Sequence, residues 1–298
     1  MTLFHGLKTG RIENTSLYLD YLLEAGPRIV RLGFLDDGVN LLAETPDIHW
    51  DTPQGRYQLY GGHRLWHAPE RSDRTHIPDN HPPAVEQDGE TLILTAPPEK
   101  ETGIQKSMRV TLAGDETRLM IDHALTNCGQ TTAELAVWPI TQLPLGGVFI
   151  LPMADGPVDP DSKLPNRNLV LWPYSRIQNE RIHIEEEVLL LHADDIPESN
   201  KIGMFNRTGW LAYVHKNTVL QKQFAPYPAS RHVDMNCNVE VYLSGLFVEM
   251  ETLSPWQAFD PGESITHREV WTLHRLERPL HSAFDVLESY RSGLLPLP

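Results

Sequence analysis

Short runs of apolar or alternating residues follow one another along almost the whole chain, and turn-forming residues separate them. The clearest alternation lies at residues 118–125, where Leu119, Ile121, His123 and Leu125 share one face. A period of two residues is typical of a β-strand. Similar runs occur at residues 17–23, 28–34, 39–43, 92–96, 108–112, 134–138, 148–151, 169–172, 188–191, 210–214, 218–224, 239–243, 246–253 and 265–273. Many short strands at this spacing predict a mainly β fold, a large antiparallel two-sheet sandwich with little helix.

Three further segments complete the predicted architecture. Glycine and proline at residues 36–38 and 260–262 supply the backbone geometry of tight turns between strands. Near the C-terminus, Leu280, Phe284 and Leu287 recur at helical spacing, which predicts one short amphipathic helix. Residues 71–83 are polar and rich in proline, and they predict a long surface loop of the kind that carries binding residues.

Length and composition narrow the class of protein. The chain has 298 residues, 40% of them hydrophobic, and β-sandwiches of roughly 250 residues often form one domain, so we expect a single domain over residues 1–298. Its formal charge of −15 disfavours a nucleic-acid partner, because phosphate backbones repel it.

No apolar run approaches the length of a membrane helix, and the N-terminal residues lack the pattern of a signal peptide. Two cysteines, Cys128 and Cys237, are too few for a disulfide framework. We therefore expect a cytoplasmic protein with no membrane partner.

Three stretches together resemble the galactose-mutarotase-like superfamily, the fold of the aldose 1-epimerases. Residues 16–44 contain GPRI and the ending NLLAE, as in the early strands of that group. Residues 119–143 contain a strand that ends in Thr-Asn before a short turn, and residues 245–273 contain an acidic strand, a loop and a Pro-Gly-Glu turn. The resemblance covers most of the chain. It implies the mutarotase-like supersandwich and a small-molecule carbohydrate as the partner.

The resemblance also implies an acid and a base, because opening a sugar ring requires proton transfer at two oxygens. Glu251 lies where these enzymes carry their base, and Glu249 shares its strand face. Two carboxylates on one face raise each other's pKa, which suits acid–base work. The alternative is a solvated strand face. The sequence departs from the family pattern at the acid, since Trp138 and Pro139 stand near the expected histidine.

Other residues offer replacements for the missing acid. His63 and His67 flank Arg64 and Trp66 in the segment GGHRLWHAPE, which places acid, cation and aromatic groups close together in sequence. We expect either histidine to act as the acid, and the segment to contact the ligand; a turn with surface histidines is the alternative.

Four side chains are candidate ligand contacts. We expect Arg64 and Lys222 to bind hydroxyl or acidic groups, and Trp66 and Trp138 to cover the C–H face of a sugar. Packing in the core is the alternative for each tryptophan.

Metal and cofactor signatures are weak in this sequence. The spacing of His63 and His67, with Glu70 nearby, is closest to a zinc ligand set, but it aligns side chains on a helix, and glycines and a proline disfavour a helix there. The chain contains no phosphate-binding loop, dinucleotide fingerprint or serine-nucleophile elbow. We expect neither a metal nor a cofactor.

Three functions remain open at this point. The first is a carbohydrate-binding protein with aldose 1-epimerase-like isomerase activity, in which Glu251 is the general base. The second is a non-catalytic carbohydrate-binding module on the same fold. The third is a structural domain without a small-molecule site, and it requires that Glu251 and the segment GGHRLWHAPE do not meet at a cleft. The sequence leaves the sugar and the oligomeric state undetermined.

Overall fold

The computed structural model describes residues 2–154 and 156–298 of the chain. Within them the secondary structure is almost entirely β. The strands are β1 Thr2–Phe4, β2 Leu7–Glu13, β3 Leu17–Leu22, β4 Arg28–Phe34, β5 Glu44–Thr52, β6 Gly55–Gly61, β7 His63–Ala68, β8 Ala84–Asp88, β9 Thr91–Thr95, β10 Ile104–Leu112, β11 Arg118–Asn127, β12 Ala133–Leu143, β13 Val148–Pro152, β14 Val170–Leu171, β15 Ile182–Ile184, β16 Val188–His192, β17 Asn200–Met204, β18 Trp210–Phe224, β19 Val239–Leu243, β20 Val248–Thr252, β21 Gln257–Phe259 and β22 Ser264–Leu280. The helical segments are α1 Val233–Asn236 and α2 Ala283–Arg291.

The described strands form two large antiparallel sheets and one separate hairpin. The first sheet has the order β1-β2-β3-β4-β7-β12-β20-β19-β17-β14, with β21 paired to β12. The second has the order β15-β16-β13-β18-β22-β11-β10-β9-β8, and β5 pairs only with β6. A cluster of buried apolar residues contributed by both sheets lies between them. This arrangement confirms the predicted antiparallel sandwich.

Strand alternation decides which side chains enter the core. On β11, Leu119, Ile121, His123 and Leu125 are fully buried, as their period of two predicts. The segment at 39–43 was predicted as a strand, and that prediction is wrong. There the Asn40 side chain accepts from the amides of Leu32 and Leu42 and donates to the Leu42 carbonyl, so it replaces a strand partner.

The C-terminal helix is confirmed, but its buried face differs from the prediction. Leu280 is the last residue of β22, and Ser282 and Asp285 form a capping box that starts α2 at Ala283. The stripe that packs inward runs through Ala283, Val286, Leu287 and Tyr290, which confirms Leu287, while Phe284 is 71% exposed. None of the helices among the described residues is long and apolar enough to span a membrane.

Candidate functional site

One pocket is built on the face of the first sheet that points away from the sandwich core. Five neighbouring strands, β7, β12, β20, β19 and β17, supply its floor. Its cavity volume is about 280 Å³. We call it the aromatic pocket; it is lined by Ile48, Trp50, Leu59, Arg64, Trp66, Glu70, His76, Trp138, Ile140, Tyr174, Lys201, Tyr242, Phe247 and Glu249.

The sheet register explains why these floor residues meet. Trp138 on β12 lies opposite Trp66 on β7, and Ile140 lies opposite Arg64. On the neighbouring strands, Tyr242 lies opposite Glu249. Residues at paired positions point to the same face, so a row of aromatic and charged side chains crosses the sheet.

Arg64 and Glu249 form a buried ion pair at the floor. The Nη2 of Arg64 donates to Oε1 of Glu249 over 2.9 Å, and the guanidinium carbon lies 4.4 Å from the centre of the Trp66 ring. Burial raises the pKa of Glu249, and the charge of Arg64 opposes that rise. The Nε and Nη1 atoms of Arg64 are buried and have no hydrogen-bond partner within the described chain. Arg64 therefore retains donors that a ligand oxygen can satisfy.

A second charged group surrounds Lys201. Its ammonium lies 2.6 Å from Glu240 and 3.0 Å from Glu251, and it is within 5 Å of the ring centres of Trp138 and Trp172. Burial alone lowers the pKa of Lys201, but the charges of Glu240 and Glu251 outweigh it and raise that pKa well above its usual value. Lys201 is therefore a fixed cation in the pocket wall.

A histidine–carboxylate pair closes the pocket on the loop side. His76 Nε2 lies 2.9 Å from Glu70 Oε1, and the His76 ring packs 4.9 Å from that of Trp66. The hydrogen bond from His76 lowers the pKa of Glu70 although burial opposes it. A histidine held by a carboxylate is a common arrangement for proton transfer.

The structure brings together four of the side chains selected from the sequence. Arg64, Trp66, Trp138 and Glu249 all line the aromatic pocket. Glu251 points to the same face but is fully buried, and its Oε2 accepts hydrogen bonds from Trp138 and Lys201. It lies behind the pocket wall, and its position corrects the expectation that Glu251 would face the ligand directly.

The structure separates His63, His67 and Lys222 from the pocket. Adjacent residues of a strand point to opposite faces, so His63 and His67 lie on the reverse side of β7 from Arg64 and Trp66. The expectation that these histidines would share a cleft with Arg64 is wrong. Lys222 is also fully buried between the sheets, where it donates to Thr141 and Glu269.

His63 and Lys222 belong to a second, interior polar network. Its hydrogen bonds run from Thr141 to His63 and from His63 to His123 over 2.8 Å, and Lys222 and Thr252 both donate to the carboxylate of Glu269. His267 bonds to Thr252 over 2.8 Å. Because His123 Nδ1 faces the carbonyl of His267 at 3.1 Å, one proton per ring satisfies every contact of these three histidines.

The only group with metal-ligand geometry found among the described residues lies in this interior polar network. Ligand atoms of His63, His123 and Glu269 are within 4.8 Å of one another. The ammonium of Lys222, 3.1 Å from Glu269, already supplies a cation there. The spacing of His63, His67 and Glu70 does not produce a shared site, because His67 lies near Glu99 and Glu70 bonds to His76.

Sequence reasoning missed five polar residues of the pocket, Glu70, His76, Tyr174, Lys201 and Tyr242. Glu70 ends the segment GGHRLWHAPE, and His76 belongs to the loop that was expected to bind a ligand, but neither had a pattern of its own. Lys201 and Tyr174 come from distant segments, and only the order of the sheet brings them to Arg64.

Comparisons with known proteins agree with this architecture. A galactose mutarotase-like protein from Lactobacillus casei superposes with a TM-score of 0.61 at 10% identity, over 90% of this chain and 100% of that one. A galactose mutarotase-like protein from Clostridium acetobutylicum gives 0.58 at 12% identity, over 93% and 98%. These similarities show that the chain has the galactose-mutarotase-like fold.

A longer protein contains the same fold. A TPR-domain-containing protein from Parabacteroides distasonis gives a TM-score of 0.62 at 16% identity over 91% of this chain, which spans about half (48%) of that protein. No curated protein matches the sequence of the chain. The model of a family described as a domain of unknown function, DUF4380, matches residues 48–274. The chain therefore belongs to the DUF4380 family.

Proposed function

We propose that the chain binds a carbohydrate in the aromatic pocket. The observation that carries this proposal is Arg64, whose Nε and Nη1 are buried at the pocket floor without partners. Buried donors are costly when they remain unpaired, so a ligand with oxygen acceptors is favoured there.

The pocket walls support a sugar as that ligand. Sugars present flat C–H faces together with hydroxyl groups, and aromatic rings beside polar groups match both. Trp66, Trp138 and Tyr242 supply such rings next to Arg64 and Glu249. A cavity of about 280 Å³ is near the lower end of small-molecule sites, which favours one sugar ring over a longer chain.

Binding can be tested by saturation-transfer NMR with a panel of neutral, amino and phosphorylated monosaccharides. We expect at least one sugar to receive saturation from the wild-type protein, and Arg64→Gln to reduce its affinity about tenfold or more. Arg275→Gln is the matched control, because Arg275 is an arginine outside the pocket, paired with Asp36 and Asp37. Failure of every sugar to bind, or equal loss in both variants, would overturn the proposal.

A second candidate is aldose 1-epimerase-like activity at the same pocket. It is favoured by two proton-transfer groups that line the cavity, the carboxylate of Glu249 and the His76–Glu70 pair. In this scheme Glu249 removes the proton from the anomeric hydroxyl, and His76 protonates the ring oxygen. Glu251 then acts behind the wall by holding Lys201 and Trp138.

The kinetic test is the exchange of α and β anomers of a sugar that binds, followed by NMR. Glu249→Gln and His76→Gln should each abolish acceleration while binding persists. A Glu251→Gln variant separates the two assignments of the base. If only Glu251→Gln abolishes exchange, our assignment of Glu249 is wrong; if the wild type gives no acceleration, the pocket serves binding alone.

A further inference from the structure

A larger cavity lies next to the aromatic pocket and shares its walls. The loop between β7 and β8 gives His76 to the aromatic pocket and residues 77–81 to this second cavity. In the same way, the β5–β6 hairpin gives Trp50 to the pocket and residues 54–56 to the cavity. The volume of the second cavity is about 600 Å³, which is ample for a small organic molecule.

The acidic groups at the base of the second cavity are already neutralised. Asp79 forms an ion pair with Arg28, which is fully buried, at 2.8 Å. Glu99 lies 2.5 Å from the Nζ of Lys106, and Thr102 also donates to its carboxylate. Burial raises the pKa of Glu99, but Lys106 and His67 outweigh it and lower that pKa to about 2. Glu99 therefore remains ionised, and both carboxylates have a basic partner.

Hydrogen-bond donors at the base of this cavity remain without partners. The ammonium of Lys106 has three N–H donors, and its side chain is 5% exposed. Its partner among the described residues is Glu99. Behind Glu99, the ring of His67 is fully buried, and neither of its nitrogens has a hydrogen-bond partner in the described chain. Its Nε2 points toward Glu99 at 3.5 Å, which is beyond an ordinary hydrogen bond.

The rim of the second cavity adds positive charge. Arg56 and Lys100 are exposed there beside His81, and Glu101 is the one acid of the lining that has no ion pair among the described residues. Arg56 lies 3.7 Å from Asp51, and both are well exposed, so solvent screens that contact. Counting Arg28, the partner of Asp79, four basic side chains (Arg28, Arg56, Lys100 and Lys106) and three acidic ones (Asp79, Glu99 and Glu101) surround the cavity, a small positive excess on a chain with a formal charge of −15.

Apolar groups supply the remaining walls of the second cavity. Ile77 and Pro78 face the segment that contains Pro97 and Pro98. We infer that this second cavity binds a small organic anion, in which a carboxylate or phosphate meets Lys106 and the basic rim while an apolar body lies against the prolines. This site is separate from the aromatic pocket, and its assignment does not depend on sugar binding.

The test uses benzoate and phenyl phosphate as probes, with benzamide as the uncharged analogue of benzoate. Backbone amide shifts of the isotopically labelled wild-type chain are followed at residues 54–56, 77–81 and 96–106. We expect saturable shifts confined to these segments with at least one anion, and at least tenfold weaker binding of benzamide. Tighter binding of phenyl phosphate would identify phosphate as the preferred group, and tighter binding of benzoate would identify carboxylate.

Two double variants complete the test. Arg56→Gln with Lys100→Gln should weaken anion binding about tenfold. Arg118→Gln with Lys163→Gln removes the same charge from exposed positions outside the cavity and should leave binding unchanged. Shifts that do not saturate, equal binding of benzamide, or equal effects of the two double variants would each overturn the assignment.

Discussion

The interior polar network predicts a steep loss of stability in mild acid. His63, His123 and His267 are buried, and burial is the main cause that lowers the pKa of each; for His267 it falls to about 3. Below the unfolded-state pKa of about 6.5, the unfolded chain binds protons that the folded chain does not. Stability is therefore fully present above about pH 6.5 and falls as the pH decreases.

The magnitude follows from linkage. Lowering the pH from about 7 to about 5.5 should cost about 1.2 kcal/mol for His267 alone, and the lowered pKa values of His63 and His123 add losses of the same sign. Such a loss is appreciable beside the net stability of a typical domain, about 5–15 kcal/mol. Because the three histidines are buried between the sheets, this loss of stability at low pH originates in the core and not in the aromatic pocket.

The assay is urea unfolding followed by tryptophan fluorescence at the two pH values. In His267→Gln, the side-chain amide retains a donor toward Thr252 but does not titrate, so the pH-dependent loss should shrink by about 1.2 kcal/mol. His281→Gln, at an exposed position, is the matched control and should keep the wild-type dependence. A His267→Gln protein with the full wild-type dependence would show that protonation of His267 does not cause the loss of stability.

Other substitutions probe the two networks and the proposed chemistry. Lys222→Met should lower the free energy of unfolding by about 3–5 kcal/mol, because it leaves Glu269 buried without its cation; the urea assay measures this, and an effect below about 1 kcal/mol would contradict it. Trp138→Phe should cost about 1–3 kcal/mol, because Glu251 loses the indole donor, and a neutral result in thermal unfolding would contradict that role. Because burial raises the pKa of Glu249, anomer exchange should decline with falling pH at a higher pH than for an ordinary carboxyl group; a rate that is constant down to about pH 4 would exclude Glu249 as the base.

Local patterns predicted where the strands lie in the sequence better than which strands pair with one another. The run at residues 28–34 coincides with β4, because Ile29, Val30, Leu32 and Phe34 supply four apolar residues within seven positions. The order of the sheets could not be read in this way, since β7 pairs with β12 and β12 with β20 across long stretches of sequence. The resemblance to mutarotase-like proteins implied the two-sheet sandwich, but the order of the strands comes from the structure.

The candidate site was predictable in part. Trp66 and Arg64 were selected for their chemistry, and the strand places both at the aromatic pocket. The same period of two implies that His63 and Arg64 point to opposite faces, so their separation was available from the sequence once a strand was assigned. His76 was predictable only as part of the loop at residues 71–83. Lys201 was not predictable, because it comes from a distant strand and has no local pattern that connects it to Arg64.

Sugar binding in the aromatic pocket is tested most directly by a crystal structure of the chain soaked with the monosaccharide that binds most tightly in the NMR panel. We expect a sugar ring in the aromatic pocket, packed on Trp66 or Trp138, with a hydroxyl oxygen within hydrogen-bond distance of Nε or Nη1 of Arg64. A sugar bound only outside this pocket, or an Arg64 that keeps both donors unpaired beside the ligand, would contradict it.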